Sequence, residues 1–165
     1  MAKRIVGSLH QYVLSIIVVL TTTNLCAQST ELSDLKPFFT SLIVEDIERS
    51  SNWYNDVLGF EEVSRTFMEE RGIKLMNLTS RFAQLELLEL KGAISANELL
   101  ANHQSTRTLG IFKIGFTVES LDDWVNFLEG KDVTFHGNVV TDPVSGMRML
   151  IVLDPDGNRI QIFER

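Results

Sequence analysis

An internal repeat is the feature that most constrains the fold of this chain. Residues 39–54 and 113–128 align without a gap at an offset of 74. Each segment begins with alternating apolar residues, as in a half-buried strand, and continues with apolar residues at helical spacing. Between strand and helix each copy has an acidic residue that favours a helix start, Asp46 or Asp122. The repeat therefore predicts two copies of one strand–helix unit.

Three further strands are predicted after each helix, separated by turns rich in glycine, proline and serine. In the first half they are residues 60–67, 73–78 and 82–90, and in the second half 133–136, 147–153 and 159–163. The order is therefore βαβββ twice, in modules of about 37–91 and 111–165. The linker between them is predicted to contain a short helical turn at 97–102. This order indicates an α+β fold.

The first 27 residues have the pattern of a secretory signal peptide. Lys3 and Arg4 give a basic start, residues 12–20 are apolar, and a polar stretch ends at the small residue Ala27. The apolar core is well short of the ~20 residues that span a bilayer. We therefore predict cleavage after Ala27.

Cleavage at this point yields a mature chain that is periplasmic or extracellular and has no stable membrane span. It leaves a flexible leader, 28–36, ahead of a folded domain, 37–165. It also removes the single cysteine, Cys26, so the mature chain needs no disulfide. Two alternatives stay open. One is an uncleaved anchor, which the short apolar core disfavours, and the other is a lipid-modified Cys26, which the bulky Leu25 disfavours.

The charge of the chain argues against a nucleic-acid partner. It has 22 acidic and 15 basic residues, a formal net charge of −7, and no cluster of lysines and arginines along the sequence. A surface that binds phosphates of nucleic acid needs such a cluster. We therefore expect no nucleic-acid binding and interpret the acidic surface as a solubility feature.

Three short motifs carry a resemblance to a known family. They are Val44-x-Asp46 leading to Trp53-Tyr54, then Leu58-Gly59-Phe60, and finally Asp154-Pro155-Asp156-Gly157-Asn158 before the last strand. With these motifs the chain resembles the vicinal-oxygen-chelate superfamily, which includes glyoxalase I, bleomycin-resistance proteins and extradiol dioxygenases. The resemblance implies that the two modules form a curled half-barrel sheet around a cavity, with the helices packed outside. It also implies that two copies can pair as a homodimer.

The same resemblance points to four positions at which metal-dependent members of the superfamily place their ligands. They correspond here to Phe39, Glu86, Lys113 and Gln161. Divalent metals prefer imidazole, carboxylate or thiolate ligands, and neither Phe39 nor Lys113 supplies one. His103 and His136 lie away from these positions. We therefore predict that the site uses no metal and no other cofactor.

The residues at these positions still predict a ligand site. The predicted ligand-binding residues are Phe39, Glu86, Lys113, Met149 and Gln161. In one interpretation Lys113 and Glu86 form a partly buried ion pair that merely fills the vacated metal site. In the other, Lys113 is a fixed cation for a ligand oxygen and Glu86 is a base, and these two are the catalytic residues if the protein is an enzyme.

Three functions follow from this site, and we rank them. The first is an exported, metal-free protein of the bleomycin-resistance kind that binds a small molecule in the cavity between the modules. The alternative is a lyase, isomerase or dioxygenase of the glyoxalase type, which the missing metal ligands disfavour. The third is a module that serves only to dimerise, which an exposed apolar edge would favour.

Overall fold

The computed structural model describes residues 34–101 and 109–165. The predicted signal peptide, its cleavage site after Ala27 and most of the leader lie outside the described residues, as does His103. Residues Pro37–Arg165 form one compact unit. In the described parts of the chain, no helix is long and apolar enough to cross a membrane.

The first module contains four strands and one long helix. In chain order its elements are β1 (Thr40–Val44), α1 (Ile47–Leu58), β2 (Glu61–Met68), β3 (Ile73–Thr79) and β4 (Gln84–Leu90). The strands form a sheet in the order β1-β4-β3-β2, in which β1 is parallel to β4 and the other pairs are antiparallel. A short helix, α2 (Ala96–Leu100), follows in the linker and overlaps the predicted turn at 97–102.

The second module repeats this arrangement with one difference. Its elements are β5 (Ile114–Val118), α3 (Leu121–Glu129), β6 (Thr134–Phe135), β7 (Val140–Thr141), β8 (Arg148–Leu153) and β9 (Arg159–Glu164). The sheet order is β5-β9-β8-β6, and β7 pairs with the start of β8. The strand predicted at 133–136 is present as the shorter β6, and β7 is a further strand that the sequence did not predict. Gly137 at φ +96° separates them, because a left-handed residue interrupts an extended strand.

The predicted fold class is confirmed by these elements. The predicted order βαβββ is present in the first module and, with the additional strand β7, in the second, in a mixed α+β fold with two sheets. The core packs helices against one face of each sheet, and it contains Leu42, Val44, Ile47, Met76, Leu87, Leu121, Leu128, Val152, Ile160 and Ile162.

The two long helices begin at different caps. The carboxylate of Asp46 accepts hydrogen bonds of 3.0 Å from the N–H groups of Glu48 and Arg49, as the sequence predicted. In the second module the capping residue is Ser120, whereas Asp122 lies inside the first turn. An acidic residue there still interacts favourably with the positive end of the helix.

In both modules a glutamate of the last strand also binds the first residue of the helix. The N–H of Ile47, the first residue of α1, donates to Glu89 Oε2 at 3.0 Å, and the N–H of Leu121, the first residue of α3, donates to Glu164 Oε1 at 3.0 Å. Each glutamate also pairs with a basic side chain of the neighbouring strand, Lys74 at 2.6 Å or Arg148 at 3.2 Å. The last strand of each module therefore anchors the start of its own helix.

The motif Asp154–Asn158 forms a tight turn, as predicted, and also joins the two modules. Asp154 Oδ1 accepts hydrogen bonds from the N–H groups of Asp156 and Asn158, which close the turn. Asp156 reaches the first module, where its carboxylate accepts hydrogen bonds from Ser50 and Arg49 of α1. An edge-to-face contact between Phe60 and Phe116, with ring centroids 6.2 Å apart, adds to this junction.

Candidate functional site

Each sheet has one face in the core and a second face, called here the open face, that is turned away from it. Along β1, β3 and β4 of the first sheet, side chains alternate between the two faces, because successive residues of a strand point to opposite sides. Leu85 and Leu87 of β4 are buried in the core, whereas Glu86 and Leu88 are only partly buried. Glu86 therefore lies on the open face.

Glu86 belongs to a line of polar side chains that crosses all four strands of the first sheet. Ser41, Glu86, Asn77 and Ser64 are successive register partners on β1, β4, β3 and β2, and we call them the polar row. Ser41 Oγ donates to Glu86 Oε1 at 2.8 Å, and Asn77 Nδ2 donates to Ser64 Oγ at 3.0 Å. These two bonds orient the carboxylate and the carboxamide across the sheet.

The next line of side chains on the open face is mostly apolar. It consists of Ile43, Leu88, Leu75 and Thr66. Glu86 is thus the one charged residue among the eight side chains of the two lines. A carboxylate beside apolar surface attracts a donor group of a ligand more strongly than a fully solvated one does, because water competes less. The arrangement can hold an N–H or O–H group of a small molecule.

On the open face of the second sheet, Gln161 lies opposite Gly115 in the parallel pair β5–β9. Gln161 is 2% exposed, and its Nε2 donates to Met149 Sδ at 2.9 Å. A thioether is a weak acceptor, so this carboxamide is poorly paired for a buried group. A Cβ added at Gly115 would meet no atom within 4 Å, so there is open space beside it.

The ion pair proposed between Lys113 and Glu86 does not form. The described residues contain seven ion pairs, and none joins these two side chains. Glu86 is engaged by Ser41 within its own sheet, whereas Lys113 lies exposed just before β5 with its Nζ 5.9 Å from the ring of Phe112. The structure therefore contradicts a direct ion pair between these two side chains.

The other predicted residues are distributed along both sheets. Phe39 precedes β1, is 53% exposed and packs edge-on against Phe38, with centroids 5.4 Å apart. Met149 and Gln161 are in contact, as described above. Ser41, Asn77 and Ser64 were not predicted. Ser41 could have been predicted from the sequence, because it is a polar residue two positions after Phe39 and hence on the same side of the strand.

The donor set does not fit a divalent metal. Of the four positions taken from the resemblance, Glu86 is a good ligand and Gln161 offers a neutral oxygen, while Phe39 and Lys113 offer nothing. Within 34–101 and 109–165, no three His, Cys, Asp or Glu side chains lie close enough together to hold a metal ion.

A cleft of about 1540 Å³ lies next to the polar row but does not include Glu86. Its walls come from the carboxyl ends of β1 and β4, from the linker and from the turn Asp154–Asn158, with Ile43, Ile73, Leu90 and Ile94 as apolar lining. Ile43 belongs both to this cleft and to the apolar line beside the polar row. Apolar surface is therefore continuous from the cleft to the edge of the polar row.

Comparisons with known proteins agree with the fold. Residues 36–162 match the family model of the Glyoxalase/Bleomycin resistance protein/Dioxygenase superfamily. The chain is similar to YwkD, an uncharacterized protein of Bacillus subtilis, with 29% identity over 125 residues, or 76% of this chain and 93% of the relative.

Two solved structures illustrate the likeness. A glyoxalase family protein from Enterococcus faecalis has a TM-score of 0.68 at 19% identity, covering 78% of this chain and 97% of that one. The trypanothione-dependent glyoxalase I of Leishmania major has a TM-score of 0.61 at 23% identity, covering 79% and 87%. At such identities the likeness shows the fold alone. Because the family model spans both modules, the chain belongs to the glyoxalase/bleomycin resistance protein/dioxygenase superfamily, as its motifs predicted.

Proposed function

We propose that this chain is an exported protein that binds a small molecule, without a metal ion, on the open faces of its two modules. The observation that carries the proposal is the polar row, in which Ser41 holds the carboxylate of Glu86 at 2.8 Å beside apolar side chains. A few oriented polar groups within an apolar surface are typical of small-molecule sites.

The chemistry of the donor set supports the metal-free part of the proposal. A phenylalanine and a lysine stand at two of the four ligand positions that the family resemblance implies. Binding must then come from hydrogen bonds and apolar contacts of the protein itself. Export, with a ligand that is met outside the cytoplasm, is supported by the signal-peptide pattern of the first 27 residues.

The test combines metal analysis with a ligand screen on the mature chain beginning at Gln28. Elemental mass spectrometry after incubation with zinc, nickel, manganese and iron is expected to show no stoichiometric metal. A library of small polar organic molecules is then screened for compounds that raise the melting temperature, since a ligand of the folded state stabilises it.

A matched pair of variants links any such ligand to the polar row. Glu86→Gln is expected to abolish the stabilisation by donor-bearing ligands, whereas Glu61→Gln, on the exposed edge strand of the same sheet, is expected to keep it. Equal responses of the two variants, or stoichiometric metal, would overturn the proposal. Chemical conversion of a bound ligand would favour the enzyme alternative.

Mass spectrometry of the exported product tests cleavage after Ala27, and sedimentation tests the predicted homodimer.

A further inference from the structure

We propose that the open face of the second module carries an anion site, formed by Lys113, Arg159 and Gln161 around Gly115. It takes the carboxylate or phosphate group of a small organic molecule. This inference rests on the proposed function, because it names the charge that the second module recognises in a ligand.

The cationic side chains of Lys113 and Arg159 both lie near the exposed ring of Phe112. Arg159 Cζ lies 4.7 Å and Lys113 Nζ 5.9 Å from the centre of the Phe112 ring, which is 65% exposed. Two like charges brought to one ring repel each other, and an anion between them relieves that repulsion. The ring also offers apolar contact to the body of the ligand.

Neither cation is neutralised by an acidic side chain of the residues that the structure describes. Arg49, Arg65, Lys74 and Arg148 are all in ion pairs, but within the described ranges no carboxylate lies within 4.0 Å of Lys113 or Arg159. Other exposed basic residues, such as Arg81 and Lys131, share this lack of an acidic partner, but Lys113 and Arg159 differ from them because both lie at one ring. The two charges are therefore available to a ligand.

The charge of Lys113 affects the pKa of Asp142, but the carboxylate of Asp142 already has other hydrogen-bond partners. The carboxylate of Asp142 accepts hydrogen bonds from Ser145 Oγ at 2.6 Å and Ser145 N at 2.8 Å. These bonds lower the pKa of Asp142 most, and the charge of Lys113 lowers it further. Asp142 is thus fixed by its own turn and leaves the ammonium of Lys113 to face solvent or a ligand.

Arg159 is oriented by a single long hydrogen bond among the described residues. Its Nε donates a long hydrogen bond of 3.4 Å to Nε2 of His136. Among the described residues, the terminal guanidinium nitrogens of Arg159 make no hydrogen bond, so the N–H groups of both nitrogens remain for a ligand. A planar guanidinium matches the paired oxygens of a carboxylate or a phosphate.

The second sheet has open space beside Gly115, next to the polar groups of the proposed anion site. Gly115 of β5 and Gln161 of the neighbouring β9 are register partners, so both lie on one side of the sheet, and Arg159 lies on that same side of β9. Lys113 comes two residues before Gly115, just ahead of β5. The space beside Gly115 is open within 4 Å. Among the described residues, the Gln161 carboxamide is hydrogen-bonded only to a thioether, so its N–H group gains a better partner when a ligand oxygen arrives.

The probes for the test are benzoate and inorganic phosphate, with benzyl alcohol as a neutral molecule of similar size to benzoate. Binding to the mature chain is followed by amide chemical shifts in an NMR titration. We expect benzoate and phosphate to shift the signals of Lys113, Gly115 and Gln161, and benzyl alcohol to leave them unchanged. Lys113→Gln and Arg159→Gln are each expected to weaken benzoate binding by about tenfold.

The chain contains matched controls for both substitutions. Lys131 lies 5.4 Å above the exposed ring of Phe127, and Arg81 lies 5.0 Å from the exposed ring of Phe82. Each is a single cation over a phenylalanine, so Lys131→Gln and Arg81→Gln change the net charge and the ring contact equally. Neither control is expected to alter benzoate binding. Melting temperatures of all four variants confirm that they are folded.

Three outcomes would overturn the anion site. These are the absence of shifts with both anions, equal binding by Lys113→Gln and the parent chain, and equal weakening by the Lys131→Gln control. The result separates this inference from the proposed function. If the binding of neutral or cationic ligands still requires Glu86 but neither anion binds, the anion site is refuted, and the polar row is still supported as a ligand site. If the anions bind but no ligand depends on Glu86, the polar row is wrong.

Discussion

The phenol of Tyr54 donates a buried hydrogen bond of 2.8 Å to Oδ2 of Asp154, joining helix α1 of the first module to the last turn of the second. Both residues are almost inaccessible, at 1% and 5% exposure. Burial, followed by the charge of Asp154, raises the pKa of Tyr54, so the phenol remains a donor at any pH at which the protein folds. The carboxylate that closes the turn thus also holds the modules together.

Removing this carboxylate is expected to destabilise the whole domain. In Asp154→Ala, the Tyr54 hydroxyl and the N–H groups of Asp156 and Asn158 lose their acceptor, which should cost about 3 kcal/mol of unfolding free energy. Tyr54→Phe removes one donor and leaves the turn intact, so about 1 kcal/mol is expected. Urea unfolding of the two variants measures both values. A larger loss in Tyr54→Phe than in Asp154→Ala would contradict this account.

The anchor of helix α1 predicts how stability depends on pH. The hydrogen bond from Lys74, and then that from the N–H of Ile47, hold the pKa of Glu89 below its ordinary value of 4.5. A carboxylate whose pKa is lower in the folded state stabilises the fold above the unfolded pKa and loses that effect as pH falls through the folded pKa. We expect the urea midpoint to fall as the pH drops below about 4.5, and Glu89→Gln to flatten that decline. An unchanged slope in Glu89→Gln would refute the anchor's role.

The sequence repeat predicted the order of strands and helix within each module. It could also have predicted how each helix is anchored to the last strand of its module. Glu89 and Glu164 share the offset of 75 that also relates Glu86 to Gln161, so the two helix anchors were visible in the sequence. The bond between Tyr54 and Asp154 was not visible. It spans 100 residues and two modules, and alternation within a strand says nothing about how modules meet.

The polar row shows a second limit of sequence patterns. Ser64 reaches the register of Asn77 because the pairing of β2 with β3 shifts between Glu62 and Ser64, which leaves Val63 unpaired. One extra residue in a strand moves every later side chain to the other face. No periodic pattern in the sequence reports such a bulge, so the fourth member of the row could not be predicted.

Two glycines are expected to respond to alanine in opposite ways. Gly59 ends helix α1 at φ +69°, a conformation that costs about 1 kcal/mol or more with a side chain. Gly115 lies in a strand, with open space where the methyl group of an alanine would lie, so Gly115→Ala is expected to be neutral or to stabilise by about 0.5 kcal/mol. Thermal unfolding of both variants decides the matter, and a destabilised Gly115→Ala would show that the space beside β5 is filled.

A larger side chain at Gly115 tests whether that space serves a ligand. Valine suits a strand, and its methyl groups would occupy the gap between Lys113 and Gln161 without removing either polar group. Gly115→Val is therefore expected to stay folded and to weaken benzoate binding at least as much as Lys113→Gln does, whereas Gly115→Ala should reduce it only slightly. NMR titration of the two variants gives the comparison. Benzoate affinity that is the same in valine, alanine and parent chains would place the anion elsewhere on the protein, because a ligand seated beside β5 cannot share its space with the valine side chain.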